Sequence, residues 1–438
     1  MAGSPAAGGK NTPMSRTTET AYHCSTLPGG LRVVSETIPH VRSVSAGVWV
    51  AAGSRHEGLG KGGTSHFIEH LVFKGTKNRT ARRIAEEIEA VGGQLNAFTA
   101  KEFTCFYCRV LDDHLELALD VLADMLVNSL FDPRDVERER GVILEEIRLY
   151  QDTPDEYVHD LFAEALWGEH PLGRAVVGSS GEIGELSRQD ILDYFRRFYT
   201  PDKMVLAAAG NVEHERLLAC AGRVFEGLVG TMCARDGPRP KAQNGISIVR
   251  KPTEQVHLCL GGEGVALNDD EFFTLHVLNA LLGAGSSSRL FQEIREDRGL
   301  AYSVYSYETA YSDTGLFAIY AGMSPACAGE VVELAQKELA RVRNGEVDAS
   351  ELSRAKEQMR CNLMLSLEST SNRMTRLGKL LMLLGDVPTP EQAMESIMAV
   401  TRDDVTTLAR RVMRDECLAL AAVGPVAEEV ERSWRRSR

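Results

Sequence analysis

The chain has 438 residues, 43% of them hydrophobic and 25% charged, with a net charge of −13 and an isoelectric point of about 5.4. This composition is typical of a soluble globular protein, and the length predicts two to four domains. The acidic balance disfavours nucleic-acid binding, and the lack of any run of about 18 apolar residues predicts no membrane span.

The first 20 residues are rich in Gly, Ala, Ser and Thr and lack the apolar core of a secretory signal. We therefore expect a disordered tail over residues 1–20, followed by a first domain over residues 21–228. The chain has nine cysteines, an odd number without the spacing of a disulfide framework, which favours a reducing compartment.

The segment Thr64–Leu71 contains the pattern H-x-x-E-H within an apolar run of helical spacing. Residues four apart lie on one face of a helix, so His66 and His70 can hold one metal ion between two imidazoles. Glu69 lies on nearly the same face, where it can act as general base on a water molecule at the metal. Two histidines at this spacing also occur by chance or as hydrogen-bonded core residues, so the pattern alone leaves both alternatives open.

Two strands are predicted after this helix, over the segment Gln94–Thr99 and over residues 102–110. The second strand contains Cys105 and Cys108, and residues three apart point to opposite faces of a strand. We therefore expect buried free thiols at these positions rather than a zinc knuckle or a redox pair.

An acid-rich segment over residues 132–149 predicts a long helix with acidic residues in its N-terminal half. A hydrolytic zinc site takes three protein ligands, so a further ligand is needed beside the two histidines. Glu139 and Glu146 are seven residues apart and share one face of this helix. The alternative is a solvated, salt-bridged surface helix, which is the better interpretation for Glu137 and Glu145.

A second acidic pair follows Pro154, where Glu156 and Asp160 are four residues apart on a predicted helix. This spacing lets the two carboxylates point together. A capped and solvated helix start is the alternative interpretation.

Residues 229–246 are rich in Gly, Pro and polar residues and predict a linker to a second domain over residues 247–438. Apolar strands are predicted at residues 43–52, 204–210, 256–261 and 315–321, and amphipathic helices at residues 115–129 and 328–343. This mixture predicts an α+β fold, with an antiparallel-rich sheet in each domain and helices on one face of it.

The two halves of the chain contain an internal repeat, which predicts two homologous domains. In the alignment of the halves, the H-x-x-E-H helix falls on His276–Ala280, and the positions of Glu146 and Glu139 fall on Asn362 and Ala355. The second half thus keeps one imidazole and loses the other ligands and the base. We therefore predict one metal site per chain, in the first half.

The combination of H-x-x-E-H with Glu146, 76 residues after His70, resembles the signature of the M16 (pitrilysin-type) metallopeptidases. The flanking segments His66–Thr76 and Gly92–Thr99 are also similar to that family, and the resemblance extends over roughly residues 25–423. It implies a fold of the M16 metallohydrolase type.

The resemblance also implies roles for these residues. One Zn²⁺ per chain would be bound by His66, His70 and Glu146, and Glu69 would be the catalytic base. Glu139 would be the acid that orients a ligand without touching the metal.

In the second half, Arg295 and Tyr302 are similar to an M16 pair that faces the zinc across a cleft. The resemblance implies that the arginine anchors a peptide carbonyl and that the tyrosine donates to the developing oxyanion. In the sequence alone, Arg295 can equally pair with Glu296 or Asp297.

Further substrate contacts are implied by the family. The segment Gln94–Thr99 resembles an exposed edge strand to which a peptide adds through main-chain hydrogen bonds, with Asn96 and Ala97 at the contact. Phe73 matches an aromatic residue that meets the residue after the cut. Glu156 and Asp160 match acids that bind an arginine upstream of the cut in the processing-peptidase branch.

The predicted function is that of a zinc-dependent endopeptidase that cleaves peptides or basic, presequence-like segments. A closed chamber would need a second chain, so a homodimer is expected. The expected location is the bacterial cytoplasm, with the mitochondrial matrix as the alternative. The alternative function is that of a non-catalytic core or partner subunit of an M16-type complex, a class that typically loses metal ligands.

Overall fold

The computed structural model describes residues 22–226, 228, 230, 237, 239–426 and 428–436. The predicted tail over residues 1–20 lies outside this range, as do residues 229, 231–236 and 238 of the predicted linker. No helix in the described ranges combines the length and the apolar character that crossing a bilayer requires.

The first half of the chain forms a six-stranded sheet with eight α-helices among its described residues. The strands are β1 (His23–Thr26), β2 (Arg32–Thr37), β3 (Ser43–Val50), β4 (Gln94–Thr99), β5 (Thr104–Leu111) and β6 (Met204–Gly210). The helices are α1 (Thr64–Val72), α2 (Ala81–Glu89), α3 (Leu115–Val127), α4 (Pro133–Gln151), α5 (Pro154–Trp167), α6 (Ser180–Glu185), α7 (Arg188–Phe198) and α8 (His214–Val224). The strand order is β1-β2-β6-β3-β5-β4, and only β2 and β6 pair in parallel.

The second half forms a five-stranded sheet. Its strands are β7 (Ile246–Arg250), β8 (Val256–Glu263), β9 (Ala301–Ala310), β10 (Gly315–Met323) and β11 (Ala419–Gly424). Its helices are α9 (Phe272–Leu282), α10 (Ala328–Arg343), α11 (Ala349–Ser366), α12 (Thr370–Leu384), α13 (Pro390–Ala399), α14 (Arg402–Val412) and α15 (Glu428–Arg436), with a π-helical turn at Phe291–Glu296. The strand order is β7-β11-β8-β10-β9, and only β7 and β11 pair in parallel.

The two sheets have the same topology. Without β1, the first sheet reads β2-β6-β3-β5-β4, and each strand has a counterpart at the same place in the second sheet. With β1 set aside, the first and last strands in chain order form the parallel pair in both sheets. The predicted α+β fold with two homologous domains is therefore confirmed.

Each sheet is covered on both faces, because the two halves exchange a helix. Helix α5, from the first half, packs on β8, β10 and β11 through buried apolar side chains such as Phe162 and Leu166. Helix α12, from the second half, packs on β3 and β6, where Met374 and Leu377 contact the side chain cluster around Trp49. The prediction of helices on one face only was wrong, because amphipathicity shows that a helix is buried but not which sheet it covers.

The long helix α4 is the acid-rich helix that the sequence predicts over residues 132–149. Its first turn is capped by Asp132, whose side chain accepts the N–H of Arg134 at 2.8 Å, and Pro133 occupies the first helical position. Val136, Ile143 and Ile147 are buried against the first-domain core. Glu139 and Glu146 lie next to this buried face, on the side where α4 packs beside α1.

Candidate metal centre

Helices α1 and α4 bring three candidate ligands together. The Nε2 atom of His66 lies 3.6 Å from one carboxylate oxygen of Glu146, and the Nε2 atom of His70 lies 3.5 Å from the other. Among the described residues, these three form the one group of His, Cys, Asp or Glu side chains whose ligand atoms all lie within 4.8 Å of each other.

The donor set fits a zinc ion. Ligand atoms about 2.0–2.2 Å from a tetrahedral zinc ion lie about 3.4 Å from each other, close to the separations in this group. Two imidazoles and one carboxylate also form a common ligand set of catalytic zinc, which leaves a fourth position free. His66, His70 and Glu146 would therefore hold the ion.

The His70 imidazole is oriented by a buried carboxylate. One carboxylate oxygen of Glu139 lies 3.2 Å from Nδ1 of His70, and the other lies 2.9 Å from Nζ of Lys74. Glu139 is 2% exposed, so Lys74 compensates a charge that water does not reach. Glu139 thus lies where the sequence predicts an acid that orients a ligand. Lys74 could not be predicted, because only the fold brings it to α4.

The two histidines have opposite electrostatic surroundings. Burial lowers the pKa of His66 to about 4, although Glu146 acts against this shift. Burial acts in the same direction on His70, but hydrogen bonds to Glu146 and Glu139 outweigh it and raise the pKa of His70 above its usual value. The same bond to His70 lowers the pKa of Glu146. His66 is therefore neutral at neutral pH, whereas His70 holds its proton to a higher pH than His66 does.

Glu69 points toward the end of the edge strand β4. One of its carboxylate oxygens accepts the hydroxyl of Thr99 at 2.5 Å. Burial raises the pKa of Glu69 despite this hydrogen bond and the nearby His70. A carboxylate with a raised pKa is suited to take up a proton. Thr99 belongs to the predicted strand, but its contact with Glu69 joins residues thirty positions apart and has no signature in the sequence.

The strand β4 is the outer strand of the first sheet, with its free edge beyond the pairing to β5. Asn96 is exposed, whereas Ala97 is only 9% exposed. The Ala97 N–H donates to the Asn96 side chain at 2.8 Å. Phe73 lies at the end of α1 and lines a cavity of about 610 Å³ together with Asn96. Phe73, Asn96 and Ala97 thus all lie beside the free edge of β4.

The two acids of α5 differ in their surroundings. Glu156 is exposed in the first turn, where its backbone carbonyl accepts the hydroxyl of Tyr150. Asp160 lines a cavity of about 1080 Å³, and burial raises its pKa although the nearby Lys101 acts to lower it. Both carboxylates act electrostatically on Tyr150, so they surround one ring. The structure adds Lys101, a buried cation beside Asp160 that the sequence pattern did not indicate.

Arg295 and Tyr302 lie close to each other in the second domain. Neither takes part in the contacts described above for the metal ligands. The Arg295 guanidinium lies 5.8 Å from the Tyr302 ring centre and 4.7 Å from that of Phe291. Tyr302 is 77% exposed at the start of β9. Among the described residues, no hydrogen bond or ion pair joins this pair to α1 or α4 of the same chain.

The second domain retains the architecture of the metal centre but only one of its three ligand side chains. His276, on α9, pairs with Glu308 through Nδ1 at 2.5 Å. Asn279, which takes the place of Glu69, accepts the Ser306 hydroxyl at 2.5 Å, much as Glu69 accepts Thr99. Asn362 lines the small cavity at this position. The hydrogen-bond frame persists there, while two of the three metal ligands are replaced by Ala280 and Asn362.

Comparisons with known proteins agree with this architecture. Residues 32–180 match the family model described as insulinase (peptidase family M16), and residues 185–359 match that of the M16 inactive domain. An uncharacterized zinc protease of Streptomyces coelicolor is 42% identical, over 92% of this chain and 90% of its own length. An uncharacterized zinc protease of Bacillus subtilis is also 42% identical, over 91% of this chain and 97% of its own length.

Solved structures show the same fold. A protease from Helicobacter pylori superposes with a TM-score of 0.86 at 24% identity, over 92% of this chain and 99% of its own. A Pseudomonas fluorescens structure titled peptidase M16 inactive domain gives a TM-score of 0.86 at 20% identity, over 93% and 98% of the two chains. With both halves matched by family models and relatives aligned along nearly the whole length, the chain belongs to the M16 family of metallopeptidases.

Proposed function

We propose that the chain is a zinc-dependent endopeptidase that binds one Zn²⁺ per chain. The observation that carries this proposal is the convergence of the ligand atoms of His66, His70 and Glu146 beside a buried Glu69. The intact set argues against a scaffold role, since a scaffold needs neither three converging metal ligands nor a buried base with a raised pKa beside them. The names of the bacterial relatives, which are zinc proteases, support the choice of metal.

When bound, zinc supplies a Lewis acid that polarises the scissile carbonyl and makes water a better nucleophile. The chain supplies the proton transfers. Thr99 fixes one carboxylate oxygen of Glu69, and the other oxygen takes the proton of the attacking water. The Glu69 carboxyl group then gives this proton to the leaving amine. The substrate main chain extends along the free edge of β4.

We infer a preference for basic peptides from the charge of the chain and from Glu156 and Asp160. A net charge of −13 attracts cationic peptides, and the two carboxylates border one ring, that of Tyr150. Lys101 compensates Asp160 while no substrate is bound, so an arginine side chain would compete with Lys101 for this carboxylate. Phe73 and Asn96 would contact the substrate on the other side of the cut, at the cavity they share.

A homodimer would complete the active site. Tyr302 is largely exposed, and its described contacts lie in the second domain, so we propose that Arg295 and Tyr302 serve the metal centre of the other chain. Tyr302 would donate to the oxyanion and Arg295 would hold a peptide carbonyl. We also propose a location in the bacterial cytoplasm, supported by the bacterial relatives and by eight described cysteines that are all free thiols.

The direct test is cleavage of an arginine-containing, presequence-like peptide, with the products mapped by mass spectrometry. Glu69→Gln and chelator treatment should each abolish cleavage, whereas Glu145→Gln, which changes an exposed acid next to a ligand, should leave it intact. Glu156→Gln with Asp160→Asn should lower kcat/KM for this peptide more than for its norleucine analogue. Cleavage that survives Glu69→Gln would refute the proposed mechanism.

The dimer has its own test. Mixing the Glu69→Gln protein with the Tyr302→Phe protein should restore activity, because one of the two sites then has an intact base and an intact tyrosine from the opposite chain. If both residues act within one chain, the mixture stays as inactive as its components. Purification through a tag on one variant, followed by detection of a different tag on the other, shows whether mixed dimers have formed.

A further inference from the structure

The two histidines of the metal centre are held in different ways. His70 has a carboxylate partner at Nδ1, namely Glu139. The Nδ1 atom of His66 is buried, and no protein group within the described ranges hydrogen-bonds to it. Metal-binding histidines nearly always use their second ring nitrogen for such an orienting bond. The direction of the His66 imidazole therefore depends on the backbone of α1 that carries it.

The first turn of α1 is held from outside the helix. Its N-cap is Gly63, which has a φ of 83° and no side chain to accept a backbone N–H. A larger residue would not fit, since a Cβ atom there would lie 2.6 Å from the carbonyl oxygen of Val177. The missing cap is supplied by Glu57, whose Oε2 accepts the Gly63 N–H at 2.8 Å and whose Oε1 accepts the Ser65 N–H at 2.7 Å. Ser65 is the residue immediately before His66.

The Glu57 carboxylate is enclosed on all sides. It is 4% exposed, and its neighbour Ser65 is fixed in turn by the Tyr194 hydroxyl, at 2.9 Å. Burial raises the pKa of Glu57 to about 7, although the N–H groups of Ser65 and Gly63 act to lower it. Both carboxylate oxygens of Glu57 are bonded to one helical turn and stay buried despite the electrostatic cost. Glu57 therefore restrains that turn.

We propose that Glu57 is a positioning residue for the zinc ligand His66, acting through the Gly63 and Ser65 N–H groups that it binds. It would do for His66 through the backbone what Glu139 does for His70 through the ring. The inference rests on the proposed zinc site and deepens it.

The test measures zinc affinity of the full chain by competition with a chromogenic chelator. Glu57→Gln keeps the shape but offers one acceptor oxygen instead of two, so one N–H loses its partner. We expect zinc affinity to fall about 10–100-fold, the range for changing an orienting group. Glu338→Gln, at a carboxylate that is 1% exposed in the second domain, is the matched control and should change it less than twofold.

A second readout separates positioning from general instability. In the cobalt-substituted protein, the visible absorption of the metal should change in Glu57→Gln and stay unchanged in Glu338→Gln. If Glu57→Gln does not fold, Glu57→Asp, which withdraws the carboxylate by one methylene, should show a loss of the same sign. A folded Glu57 variant with wild-type zinc affinity and an unchanged cobalt spectrum would overturn the inference. A wild-type protein that binds no zinc would instead refute the proposed function.

Discussion

His70, which hydrogen-bonds to both Glu146 and Glu139, decides how the metal centre responds to pH. Zinc binds neutral imidazole, so protons compete with the metal wherever a ligand histidine has a high pKa. The pKa of His70 is raised and that of His66 is about 4, so His70 takes up its proton before His66 as the pH falls. Zinc affinity should therefore fall on the acid side of the raised pKa of His70, while His66 contributes only in strongly acidic solution.

Glu139→Gln should change this behaviour in two ways. Loss of the carboxylate lowers the pKa of His70, so the decline of zinc affinity should move to lower pH. Loss of the orienting bond should weaken zinc binding about 10–100-fold at pH 8. Chelator competition between pH 5.5 and 8 measures both effects, with Glu145→Gln as control. An unshifted midpoint in Glu139→Gln would contradict a contribution of this carboxylate, beside that of Glu146, to the raised pKa of His70.

At the scale of single residues, the sequence was most informative where residues lie on one helix. His66, Glu69 and His70 share a helical face by their spacing alone. Glu146 required the family resemblance, because its distance from His70 is set by how α4 packs on α1. The contacts of Thr99 and Lys74 were not foreseen, since each joins segments that only the fold brings together, and the local contact of Glu57 with Ser65 has no signature in the sequence.

The packing of the exchanged helix α12 on the first sheet depends on a close approach at one glycine. Gly378, on α12, lies directly over the Trp49 indole, and a Cβ atom at this position would collide with the ring. Because Trp49 is 0% exposed and has no room to move, Gly378→Ala should lower the free energy of unfolding by about 1–3 kcal/mol. Denaturant titration followed by tryptophan fluorescence measures this loss.

A glycine in a different setting provides the control. Gly141 lies within α4, between Glu139 and Glu146, and a Cβ atom there meets open space. Gly141→Ala should therefore stabilise the protein by about 0.5–1 kcal/mol, the helix preference of alanine over glycine. A loss of stability in Gly141→Ala equal to that of Gly378→Ala would show that the packing on Trp49 is not the cause.

Elements were predictable in kind but not in partnership. The strand predicted over residues 43–52 ends at Val50, where its pairing with Thr104 of β5 and Met204 of β6 ends. Helix α5 has a clear apolar stripe, yet nothing in that stripe shows that it lies on the sheet of the other domain. The information lies in complementary surfaces separated by more than 100 residues.

At the scale of the whole molecule, a buried ionic cluster joins the two domains near the metal helix. Arg55 donates to Glu102 at 2.9 Å and to Asp313, in the turn between β9 and β10, at 2.6 Å. Glu102 also accepts the backbone N–H of Ser312 at 2.9 Å. The Glu102 side chain is 4% exposed, so its charge depends on Arg55 for compensation.

Arg55→Leu should destabilise the protein by about 3–5 kcal/mol, because it leaves two carboxylates facing each other without a cation. Arg42→Leu is the control: Arg42 also binds two carboxylates, but it is 71% exposed, and its loss should change stability by less than about 1 kcal/mol. Calorimetric unfolding of both variants checks the contrast. Equal effects would mean that the cluster at Arg55 does not link the domains.

The exchanged helices have a consequence for synthesis on the ribosome. The first sheet is complete once β6 has emerged, but α12, which covers one of its faces, begins about 160 residues later. At about 5–20 residues per second, the apolar face around Trp49 waits for on the order of ten seconds or more before its cover exists. During that interval the nascent chain exposes a broad apolar surface to chaperones and to neighbouring nascent chains. A message truncated before α12 should therefore yield aggregates rather than an isolated, soluble first domain.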